Sequence, residues 1–140
     1  MPLSIAINFN GNCREAVNFY AGVFGSEPLR LMTYGEGDAS FDQNFQVTEA
    51  MRDKIMFAYL DIAGALVEFS DMPDGFDFER GNSMSPVLVY ARWADAQKAF
   101  DGLCAGGQVF VPFANIPGQG WYGMLADRFG IVWIFRASAK

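Results

Sequence analysis

Glu68 is the residue in this sequence best placed to do chemistry. It lies within KIMFAYLDIAGALVEFSD, residues 54–71. Strand alternation puts Ala65, Val67 and Phe69 on one side and Leu66, Glu68 and Ser70 on the other. A carboxylate in an apolar strand can act as a general base or anchor a cationic ligand. It can equally be a structural group satisfied by a nearby donor, for which Arg136 and Asn8 are available. Asn8, polar in mid-strand, could orient a ligand or simply hydrogen-bond Glu68. Phe57, Tyr59, Phe113 and Trp121 read either as the lining of an apolar pocket or as plain core. Cys13 begins a helix, where a thiolate is favoured, but no base stands beside it. The chain has no histidine. Histidine-dependent triads and histidine zinc sites are therefore excluded.

The elements that must position these groups come in two similar sets. Residues 54–71 read as a hairpin turning at Ala63-Gly64. The pattern returns as YGMLADRFGIVWIFR, Tyr122 to Arg136. Aligned by sequence, Asp61 meets Asp127, Gly64 meets Gly130, Val67 meets Trp133, and Glu68 falls opposite Ile134. Upstream of each hairpin the reading is again the same. LSIAINF at 3–9 alternates as a half-buried strand, and a turn at Asn10-Gly11-Asn12 follows. Asn12 with Glu15 has the form of a capping box for a helix that Gly25 ends. A strand from Glu27 to Tyr34 starts at a proline, an edge signature. Residues 35–53 read as a long polar loop containing Phe41 and Phe45, which would be a lid, a partner contact or simply a mobile segment.

In the second set, a strand covers Met84 to Tyr90 and a helix about Arg92 to Cys104. That helix carries an apolar stripe of Ala96, Ala99, Phe100 and Leu103. A strand from Val109 to Ala114 includes Pro112, again an edge feature. Ser4 matches Ser85 and Phe9 matches Tyr90. The expectation is an α+β chain, residues 1–140, of two β-α-β-β-β units, 3–71 and 84–137. The acidic linker 72–83 joins them, and the eight strands form a cupped mixed sheet.

Composition narrows the function classes. Of 140 residues 51% are hydrophobic and 14 are Phe, enough for a large core, an apolar pocket or both. The net charge of −6, without a Lys/Arg cluster, argues against nucleic acid. No run of about 20 apolar residues is present to cross a membrane. Two cysteines, Cys13 and Cys104, read as reduced thiols of a cytoplasmic protein.

The motifs FNGN at 9–12, EAVNFY at 15–20, DKIMFA at 53–58 and DRFGIVW at 127–133 resemble the vicinal oxygen chelate superfamily of glyoxalases, bleomycin-resistance proteins and dioxygenases. They are most similar to its PhnB-like branch, over essentially the whole chain. The resemblance implies the superfamily's fold and a homodimer. Members often carry a ubiquinone methyltransferase label, yet no glycine-rich nucleotide loop follows a strand here. The resemblance also implies four metal-ligand positions, which in this sequence are Ser4, Glu68, Ser85 and Ile134. One carboxylate, two hydroxyls and an alkyl group fall short of the donors that zinc, nickel or iron require. The expectation is a site without metal or cofactor that binds a small, partly apolar molecule in the cup. Its lining would be Ser4, Asn8, Phe57, Tyr59, Glu68, Ser85, Phe113, Trp121 and Ile134. The alternatives are a metal-dependent lyase or isomerase with Glu68 as base, and a structural role with no ligand.

Overall fold

A computed structural model describes residues 3–37 and 46–139. The expected Phe41 and Phe45 of the long loop lie outside the described residues. The chain divides into two compact units, to Phe78 and from Glu79. Each has the order strand, helix, three strands, and the first unit adds a short 3-10 turn, Glu49–Met51, between its second and third strands.

The first unit comprises β1 (Ile5–Phe9), α1 (Cys13–Phe24), β2 (Arg30–Thr33), β3 (Ile55–Ile62) and β4 (Ala65–Asp71). Its sheet runs β1-β4-β3-β2, with β1 parallel to β4 and the other pairs antiparallel. The β3–β4 hairpin turns where expected. Ala63 and Gly64 both take positive φ, 53° and 86°, the two-residue turn that matches strand twist. One face of the sheet packs on α1. Ile7, Phe9, Ala58, Leu60, Val67 and Phe69 are buried there with Ala16, Val17 and Tyr20 of the helix. The Tyr20 and Phe69 rings stack at 5.5 Å.

The expected capping box does not form. Asn12 is the N-cap residue of α1, but its side chain makes no cap bond. The work is done by Asp71, 1% exposed. Its Oδ1 accepts from the backbone N–H groups of Gly11 and Cys13, and its Oδ2 from that of Ile55. At the other end Gly25 closes the helix in the left-handed region at φ 65°, as expected. The strand expected from Glu27 is shorter than the pattern suggests, because Pro28 has no N–H to give to the ladder.

Cys13 packs against this carboxylate. Burial, with the Asp71 charge second, pushes its thiol far above the ordinary value. Tyr34, whose hydroxyl donates to the Asp71 carbonyl, is pushed up by burial and then by the same charge. The folded state therefore keeps a proton on Cys13 that the unfolded chain releases above about pH 8.5. Above that pH the unfolded state binds fewer protons, so stability falls as pH rises. The slope reaches about 1.4 kcal/mol per pH unit for one group. Urea unfolding between about pH 7 and pH 10 is expected to show this decline, and Cys13→Ala to flatten it. A slope unchanged in the variant would refute the assignment.

The second unit comprises β5 (Val87–Tyr90), α2 (Trp93–Leu103), β6 (Gln108–Ile116), β7 (Gly120–Ala126) and β8 (Val132–Ala137). Its sheet runs β5-β8-β7-β6 with the same pattern of one parallel and two antiparallel pairs. The eight expected strands are thus present, four to a sheet. The buried residues of α2 are Ala96, Ala99, Phe100 and Leu103, the stripe read from the sequence. Phe100 lies edge-on to Phe135 at 5.3 Å. Gly123 makes room for it, since a Cβ there would stand 2.8 Å from the Phe100 ring. The Pro-bearing strand β6 is at the sheet edge, and its register shifts on both sides of Val111.

The repeat holds in register, with one adjustment. Ala6 pairs with Glu68 in the first sheet as Val87 pairs with Ile134 in the second. Glu68 and Ile134 are therefore equivalent positions. Their antiparallel neighbours, however, are Tyr59 and Met124, one residue off the sequence alignment. The second hairpin has one more residue in its turn. Asp127 consequently occupies the place of Ile62, not that of Asp61. Among the described residues no helix is long and apolar enough to cross a membrane.

Candidate functional site

The side of the first sheet turned away from α1 carries four of the nine expected site residues, Asn8, Phe57, Tyr59 and Glu68. Glu68 is half-buried on it, between Ala6 of β1 and Tyr59 of β3. Ala6 puts only a methyl group beside the carboxylate. Tyr59 pairs on its far side with Arg30 of β2. One row across the sheet therefore reads Ala6, Glu68, Tyr59, Arg30. The next row holds Asn8, paired with Ser70, and Phe57, paired with Met32.

Within this face Asn8, Ser70 and Arg30 have definite partners. Ser70 Oγ donates to Asn8 Oδ1 at 2.9 Å. This places Asn8 with Ser70 where the sequence pointed to Glu68. The Phe57 and Tyr59 rings lie 5.6 Å apart, tilted at 47°. The Arg30 guanidinium sits over Phe57, 4.8 Å from the ring centre, within cation–π range. Arg30 carries no signal of its own in the sequence. It stands alone after Pro28, and only the β2–β3 register aligns it with Tyr59 and Glu68. Ser4 lies just before β1 and is exposed.

In the second unit Ile134 stands between Val87 and Met124. Ser85 lies two residues before β5 and is half-buried. Phe113 and Trp121 are placed on the other side of that sheet. Phe113 packs on Phe100 of α2 at 5.7 Å, and Trp121 stacks on Trp93 at 4.6 Å and 7°. They belong to the packing of α2, not to the face that carries Ile134. Arg136, the other donor considered for Glu68, lies over the Tyr122 ring at 5.8 Å.

Ser4, Glu68, Ser85 and Ile134 offer one carboxylate, two hydroxyls and an alkyl group, fewer strong donors than zinc, nickel or iron take. Among the described residues no three His, Cys, Asp or Glu side chains come together. The position equivalent to Glu68 is occupied by the alkyl side chain of Ile134, which offers no electron pair.

Known proteins resemble this chain over nearly its full length. Residues 6–135 match the description Glyoxalase/Bleomycin resistance protein/Dioxygenase superfamily. Protein YjdN of Escherichia coli strain K12 is 28% identical over 139 residues, covering 96% of this chain and 93% of the relative. Protein PA1353 from Pseudomonas aeruginosa has a crystal structure that superposes with TM-score 0.82 at 27% identity, over 99% of this chain and 98% of that one. A Bacillus cereus protein described as a putative 3-demethylubiquinone-9 3-methyltransferase, PhnB protein, shares the fold. Its TM-score is 0.75 at 20% identity, over 99% and 100% of the two chains.

Proposed function

Because the chain belongs to the Glyoxalase/Bleomycin resistance protein/Dioxygenase superfamily, we propose that it keeps the superfamily's binding face without the chelating side chains. In this reading it binds a small, partly apolar molecule on the open face of the first sheet, and Glu68 is the polar anchor. The observation that carries the reading is the register equivalence of Glu68 and Ile134. At the position of the second unit that corresponds to Glu68 stands an alkyl group. What remains at Glu68 is a single carboxylate bordered by a methyl group on one side and an aromatic ring on the other. Such a group recognises a donor or a cation. The tilted pair Phe57 and Tyr59 supports the same reading, because it offers apolar area for the body of a ligand.

Two measurements test it. Equilibrium dialysis against Ni, Zn, Mn and Fe is expected to show no stoichiometric uptake, and tight one-to-one binding would overturn the reading. A thermal-shift screen over small amphiphiles is expected to find compounds that stabilise the protein. At a hundred times Kd, one site stabilises by about 2.7 kcal/mol. Glu68→Ala should abolish that stabilisation, and a shift that survives the substitution would place the ligand elsewhere.

A further inference from the structure

The row across the first sheet carries two opposite charges with an aromatic floor beside them. Glu68 and Arg30 flank Tyr59 on the same face, one on each neighbouring strand. Two strand spacings put their backbones roughly 10 Å apart. The guanidinium does not float free. It is seated on Phe57 at 4.8 Å, and Phe57 in turn lies 5.6 Å from Tyr59. A guanidinium lying on a ring presents the N–H groups of its edge, which match a planar anion such as a carboxylate. Glu68 has the opposite demand. With a methyl group on its Ala6 side, its oxygens are open there to a compact cation such as an ammonium group.

Resting on the reading of Glu68 given above, we propose that the ligand is a zwitterion. It carries an amine at one end, a carboxylate at the other, and a flat or apolar body between them. The amine meets Glu68, the body lies over Tyr59 and Phe57, and the carboxylate meets Arg30. A ligand with only one charge leaves one of the two residues without a partner and gives up that contribution. A neutral ligand leaves both. The order of affinity therefore follows from charge pattern alone, at constant shape.

The test uses four probes of similar size on the intact protein: para-aminomethylbenzoate, benzylamine, benzoate and benzyl alcohol. Binding is read by titration calorimetry and by chemical-shift changes. The expected result is that para-aminomethylbenzoate binds about tenfold or more tightly than either singly charged probe. Arg30→Gln should bring the zwitterion down to the level of benzylamine, and Glu68→Gln should bring it down to the level of benzoate. Circular dichroism and the urea midpoint of each variant check that it is folded. Both positions lie on the solvent side of the sheet, so both variants should be. Binding of benzylamine that depends on Glu68 but is unchanged by Arg30→Gln overturns the zwitterion and leaves the anchor role of Glu68 standing. Equal binding of all four probes, or none by any at millimolar concentration, overturns both.

Discussion

Asp71→Ala is expected to destabilise the protein by about 3–5 kcal/mol, a large fraction of the about 5–15 kcal/mol that holds an ordinary domain folded. The carboxylate is 1% exposed and takes three backbone N–H groups, from Gly11, Cys13 and Ile55, at 2.9–3.0 Å. Those donors come from three places in the chain: the turn before α1, the first residue of α1, and the first residue of β3. Removing the acceptor leaves buried donors with nothing to bond, which costs more than the bonds themselves contribute. Asp71→Asn keeps the shape but turns one acceptor into a donor facing a donor. It should recover only part of the loss. Urea unfolding at neutral pH measures both, and a cost below about 1 kcal/mol for Asp71→Ala would show that water replaces the carboxylate.

The second large effect is expected at Asp127, 3% exposed, in the other unit. Its Oδ1 accepts from the backbone N–H groups of Phe129 and Ile131, and its Oδ2 from the indole N–H of Trp133 at 2.9 Å. The carboxylate thus holds the turn between β7 and β8 and fixes the largest fully buried side chain. Asp127→Ala should again cost about 3–5 kcal/mol. A double-mutant cycle separates the two roles. Trp133→Phe removes the indole donor, so its cost should be smaller in the Asp127→Ala background than in the wild type. Equal costs in the two backgrounds would mean that the indole bond contributes nothing to stability. The emission of Trp133 should also shift in Asp127→Ala as the indole loses its acceptor.

These two residues mark where the sequence could be read and where it could not. Local signals told true. Ala63-Gly64 announced its turn, Gly25 its helix end, and Ala96, Ala99, Phe100 and Leu103 their buried stripe. The repeat was visible because Gly64 and Gly130 must both take positive φ, 86° and 85°. The capping box at Asn12 and Glu15 was a local signal as well, and it was displaced by a partner distant in sequence. Asp71 reaches the same N–H groups from the end of β4, and no spacing rule near Asn12 records that. Asp127 holds its turn through the N–H groups of Phe129 and Ile131. Its alignment with Asp61 slipped by one because turn length cannot be counted from side-chain types alone. For the candidate site, alternation placed Glu68, Asn8, Phe57 and Tyr59 correctly on one face. It could not separate Phe113 and Trp121 from that group, since aromatic residues suit either side of a sheet. Arg30 was out of reach for another reason: its importance depends wholly on which residue of β3 it meets.

In each unit the first strand lies beside the last, parallel to it and tied to it residue by residue. A chain leaving the ribosome makes β1 long before β4 exists. During synthesis the N-terminal strand has no neighbour to lie against, and α1 has no lasting acceptor at its start. Asp71 is the last residue of β4 and pairs with Phe9 at the far end of β1. Its arrival completes the sheet and the helix start together. A released fragment that ends just short of residue 71 should therefore be open to protease throughout its first unit, and one that extends slightly past it should resist.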